Sequence, residues 1–209
     1  MDIHIWLAFV AASTALLLIP GPTVLMVLGY ALSQGRRVAL ATVVGVAMGD
    51  AIAMTASLMG LGALVLASAT LFTVLKWVGA VYLVWLGVRL IRSRPAAASP
   101  DPANLTQTSA RSVFGHAATV TALNPKSIAF FIAFVPQFVV PGAPLLPQFA
   151  ILIPTFVALA ALNALGYALL ADRLRARIGR PAVLTWLSRA GGGALVAMGV
   201  VTATLRCVA

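Results

Sequence analysis

The chain has 209 residues, 62% of them hydrophobic and 9% charged, with no glutamate and a formal net charge of +10. A soluble domain carries roughly 25% charged residues, so this chain cannot cover a water-facing surface and reads as an all-α polytopic membrane protein. The basic excess is no nucleic-acid signature, because the arginines sit in short stretches between apolar runs, as in the cytoplasmic loops of membrane proteins.

A bilayer-crossing helix needs about 20 mainly apolar residues, and six spans are expected over 4–30, 38–65, 69–91, 113–139, 147–171 and 184–205. The first begins within MDIHIW, which lacks the basic residues of a cleavable leader, so it is expected to be retained as a helix. Pro20-Gly21-Pro22 interrupts it. A proline lacks an N–H and clashes with the carbonyl one turn back. In lipid the freed backbone groups must face protein or a water-filled cavity.

The second span holds Asp50 near its middle, where a carboxylate costs at least about 2.5–3.5 kcal/mol on insertion scales. It reads as a substrate or proton site in a wet cavity, or else as an acid satisfied by a buried cation or backbone donors. Gly45 and Gly49, four apart, suit close helix packing. Lys76 in the third span either snorkels to the interface or partners Asp50 or a substrate carboxylate. The Pro-, Ala- and Ser-rich stretch 93–112 is a linker between a first unit, 1–92, and a second, 113–209. The fourth span is broken in turn, at Asn124-Pro125-Lys126, with Lys126 too deep to snorkel easily. The glycine-rich sixth is interrupted by Arg189.

Loop charges set the orientation. Arg36 and Arg37 lie in the first loop, Arg89, Arg92, Arg94 and Arg111 in or beside the third, and Arg173, Arg175, Arg177, Arg180 and Arg189 in the fifth, with Arg206 a minor dissenter at the outer end of the last span. The loops near 65–69 and 140–147 hold no Lys or Arg. The odd loops are therefore expected in the cytoplasm and both termini outside it. Three spans on each side of the linker enter the membrane from opposite faces, the arrangement of two inverted three-helix repeats. LKWVGAVYLVWLG and LSRAGGGALVAMG space Lys76, Gly79 and Gly87 nearly as Arg189, Gly191 and Gly199, and Asp50 and Asn163 are similarly offset. The breaks then fall in corresponding helices, the first and the fourth, whose half-helix ends present oriented dipoles to an ionic substrate.

Nothing in the chain suggests catalysis. There is no Gly-x-Ser-x-Gly elbow, no phosphate-binding loop and no His/Cys/Asp cluster. His4 and His116 lie far apart, and the single cysteine, Cys207, excludes an intrachain disulfide. No enzyme activity, cofactor or metal site is expected.

Four separated stretches, PGPTVLMVLGYALSQGRRVAL, GVAMGD, LKWVGAVYLVWLG and ALNPKSIAFFIAFVPQFV, resemble in order the signatures of the LysE/RhtB-type amino-acid exporter (translocator) family. The resemblance covers nearly the whole chain. It implies a bacterial inner-membrane protein of six helices that exports amino acids or close derivatives. It also implies that Pro20, Gly21, Pro22, Gly49, Asp50, Asn124, Pro125 and Lys126 stand at the family's characteristic positions. Ala39 departs from a common glycine, and no histidine follows Asp50. The expected activity is secondary export driven by a proton gradient or the membrane potential. The substrate carboxylate would meet half-helix N–H groups and Lys126, and its ammonium group or a coupled proton would meet Asp50. The alternatives are a channel or a membrane-embedded enzyme acting on a small polar solute. The expected partners are an amino acid and membrane lipid, with no nucleic acid, and the glycine-rich faces admit a homodimer.

Overall fold

The computed structural model describes residues 1–19, 21–34, 36–67, 69–92, 109–140, 143–171 and 181–204. The helices among them are α1 (Ile3–Leu18), α2 (Pro22–Gln34), α3 (Arg36–Ala67), α4 (Ala69–Arg92), α5 (Ala110–Ala122), α6 (Pro125–Ala133), α7 (Leu145–Leu169) and α8 (Pro181–Thr204). No strand occurs among the described residues. Val38–Gly62 of α3, Thr73–Arg92 of α4 and Leu145–Leu169 of α7 are long and apolar enough to cross a membrane. So is the pair α1–α2, taken as one span bent by 61°. Large apolar side chains stand on the outer surface, among them Leu7, Val44, Trp77, Val81, Trp85 and Leu162. That is the surface expected of a protein dissolved in lipid.

Both expected breaks are present. The α1 helix starts on Asp2, whose carboxylate accepts from the His4 amide at 2.7 Å, and stops at Leu18. Pro22 opens α2 at the position where its missing N–H leaves no bond unmade. Pro125 opens α6 in the same way, and Asn124 caps that helix, its Oδ1 accepting from the Lys126 amide at 3.1 Å.

Two boundaries differ from expectation. The α5 helix begins at Ala110, inside the expected linker, because Ser109 caps it by accepting from the Ser112 amide at 3.2 Å. The stretch 113–139 was expected to break once, but it breaks a second time, since α6 gives way to a 3-10 turn at Val135–Phe138. Pro136 cannot donate to an α-helical ladder. The chain tightens around it, with Gln137 N–H donating to the Phe134 carbonyl at 3.2 Å and Val139 N–H to that of Pro136 at 3.1 Å.

Helices approach most closely where side chains are smallest. A Cβ on Gly45 would lie 2.6 Å from the Phe114 carbonyl oxygen of α5, and one on Gly49 would lie 2.5 Å from that of Ala118. Between α4 and α8, Gly87 abuts the Gly192 carbonyl and Val196, while Gly199 abuts Val84 and the Ala80 carbonyl. Apolar attraction contributes little between helices in lipid, so close backbone contact supplies the packing energy. The deepest core is aromatic: Phe131 meets Phe156 edge-on at 4.8 Å, and Phe9 meets Phe138 at 5.4 Å.

Candidate functional site at the helix breaks

The two breaks meet in space. The end of α1, the starts of α2 and α6, and the middles of α3 and α7 line a cavity of about 30 Å³. Gly21, Thr23, Asp50, Asn124, Lys126 and Asn163 supply its polar wall, and the rest is mainly Leu, Val and Ala.

Asp50, on α3, is 2% exposed, and its Oδ1 has no hydrogen-bond partner among the described residues. A buried acceptor left unpaired costs about 1–3 kcal/mol, more if charged. Lys126 directs its ammonium group at the end of α1. Its Nζ donates to the Leu16 carbonyl at 3.1 Å and to the Ile19 carbonyl at 3.0 Å. A Cβ on Gly21 would lie 3.4 Å from that Nζ, in ordinary contact, so the ammonium group reaches across the break directly beside Gly21.

Lys126 is one of three side chains that close this helix end. Asn163 of α7 donates from Nδ2 to the Leu17 carbonyl at 3.1 Å, and the Tyr167 hydroxyl donates to the Leu18 carbonyl at 3.4 Å. The last carbonyls of a helix have no partners within it and carry the negative end of its dipole. Here four consecutive carbonyls, from Leu16 to Ile19, are met by side chains from beyond the linker. Asn124 joins the two breaks directly, its Nδ2 donating to Thr23 Oγ1 at 3.2 Å.

The structure therefore brings Gly21, Asp50, Asn124 and Lys126 to one cavity. Pro22 and Pro125 sit beside it as helix-opening residues. Gly45 and Gly49 face α5. Pro20 and the side chain of Lys76 lie outside the described residues. Sequence reasoning gave Asn163 no role in the site and passed over Tyr167. An asparagine inside an otherwise apolar helix, with a tyrosine one turn on, was the available signal. Among the described residues no three His, Cys, Asp or Glu side chains come together to hold a metal ion.

The chain has relatives by sequence, whereas no solved structure matches it. A membrane protein of Vibrio cholerae is 36% identical over 207 residues, covering 99% of this chain and all of that one. The homoserine/homoserine lactone efflux protein of Salmonella typhimurium is 36% identical over 207 residues, covering 99% of each. The leucine efflux protein of Klebsiella pneumoniae is 29% identical over 140 residues, which is 64% of this chain and 63% of that one. The family model of the LysE type translocators matches residues 5–206, and the chain belongs to that family.

Proposed function

We propose that the protein is a secondary exporter of amino acids or close derivatives from the bacterial cytoplasm, working by alternating access around the cavity at the helix breaks. The observation that carries this reading is the convergence of a buried acid, a lysine and two interrupted helices on one small polar space. Relatives named as homoserine/homoserine lactone and leucine efflux proteins support it from a different direction. In this reading Asp50 and Lys126 carry the charges of the site, Asn124 and Asn163 its neutral donors, and the Pro20–Pro22 and Asn124–Pro125 breaks its walls. Lys76 is a secondary charge partner, and transport draws on the proton gradient or the membrane potential. The cavity, at about 30 Å³, is smaller than an amino acid and must widen to admit one.

The moving parts are two inverted three-helix halves, residues 1–92 and 113–209, in the inner membrane with both termini outside the cytoplasm. The α4–α8 interface supports this. Gly87 packs on Gly192 and Val196, Gly199 packs on Ala80 and Val84, and one sequence offset maps the first set onto the second. A two-fold-related pair of helices makes reciprocal contacts of this kind.

The test is protection of an exporter-deficient bacterium against toxic amino-acid analogues and dipeptides. Protection confined to one chemical class names the substrate. No protection at normal membrane expression, together with no amino-acid efflux from proteoliposomes, refutes export. Efflux that follows concentration alone, with no response to an imposed gradient, indicates a channel.

A further inference from the structure

The ammonium group of Lys126 lies at a helix end that suits a different ammonium group. Two carbonyls of α1, those of Leu16 and Ile19, accept its N–H groups, and Asn163 completes the row at Leu17. Asp50 lines the same cavity, with a carboxylate oxygen that has no partner. Partially negative carbonyls at a helix end beside a buried carboxylate with one unpaired oxygen make a receptor for a compact cation that donates hydrogen bonds. A lysine tethered to α6 fills part of that receptor and leaves Asp50 Oδ1 without a partner.

We propose that the carbonyl end of α1 is the subsite for the α-ammonium group of the transported amino acid, and that Lys126 occupies it whenever the carrier is empty. The proposal rests on the amino-acid export reading for the identity of the visiting ligand. An arriving amino acid displaces Lys126 from the Leu16 and Ile19 carbonyls and places its ammonium group between them and Asp50. The released lysine then meets the substrate carboxylate. When substrate leaves, Lys126 returns and closes the exposed carbonyls. Without it, an empty carrier would have to reorient with the Ile19 carbonyl unsatisfied and that of Leu16 held only by the Ile19 N–H, which is costly in a dry environment. Lys126 is thus a stand-in for substrate that permits the empty return step, and with it net export in place of exchange.

Two variants test this. Lys126→Ala removes the three outer carbons and the nitrogen, a volume that n-propylammonium matches. In lipid nanodiscs, n-propylammonium should raise the melting temperature of Lys126→Ala saturably, towards wild type. It should leave wild type and Lys126→Met unmoved, and tetramethylammonium, a cation with no N–H, should have no such effect. An equal response to tetramethylammonium, or none to n-propylammonium, overturns the ammonium subsite. If Lys126→Ala does not fold alone, its folded yield with n-propylammonium or tetramethylammonium in the growth or refolding medium discriminates in the same way. Lys126→Met in proteoliposomes tests the return step. Amino-acid exchange should fall, because Lys126 also meets the substrate carboxylate, while net efflux into amino-acid-free medium should fall at least about tenfold further. Equal loss of both activities, or retention of both, overturns the stand-in role. If wild type moves no amino acid, the export reading fails, and n-propylammonium still decides the subsite.

Discussion

Asp50 bears an unpaired oxygen in a site with almost no solvent, so its carboxylate is kept at a cost that function must justify. Asp50→Asn removes the charge and keeps the shape. Export is expected to fall at least about tenfold, with a melting temperature no lower than wild type; normal efflux from the variant removes Asp50 from the site. Asn124 has two tasks, capping α6 and donating to Thr23. Asn124→Ala loses both and is expected to cost about 0.5–2 kcal/mol, read as a lowered melting temperature. Asn124→Ser retains a capping oxygen and loses only the tie to Thr23, so it should fall between alanine and wild type. At this scale the charges were legible in the sequence, because Asp50 and Lys126 interrupt apolar runs that tolerate none. The acceptors of Lys126 were not legible. They are backbone carbonyls of a helix more than a hundred residues earlier, and nothing in a sequence marks which carbonyl a distant lysine will reach.

The elements are held by close backbone approach, and their glycines differ sharply in consequence. A methyl group on Gly49 would meet the Ala118 carbonyl oxygen at 2.5 Å, whereas one on Gly115 of α5 would meet nothing within 4 Å. Gly49→Ala should therefore push α3 and α5 apart and lower the melting temperature by several degrees. Gly115→Ala should leave it unchanged or raise it slightly, because glycine inside a helix costs about 0.5–1 kcal/mol relative to alanine. Equal effects from the two substitutions would contradict this account of the interface. The breaks at Pro22 and Pro125 were readable because a proline removes a ladder bond and clashes one turn back, although α7 runs on through Pro154. Pro136 carried the same warning, but it lies near the end of a run where a kink and a helix terminus look alike. The structure resolved it as a 3-10 turn packed through Phe138 against Phe9.

At the scale of the whole molecule, the proposed topology has a direct check. A reporter active only outside the cytoplasm, fused to either terminus, is expected to be active at both, and a reporter inserted in the 93–108 stretch should be inactive. Opposite placement of the two termini would exclude six spans in two inverted halves. Composition alone settled that the chain lives in lipid, since 9% charged residues cannot coat a soluble protein. Proline positions marked where the helices can break, though α7 continues through Pro154, and isolated charges marked which residues needed a reason to be there, because these properties depend on local covalent chemistry and on the solvent. The tertiary structure alone decided that the two breaks share one cavity, that Lys126 closes the end of α1, and that Asn163 and Tyr167 join it. Those contacts span long separations along the chain, and only the packing of helices against one another determines which donor meets which exposed carbonyl.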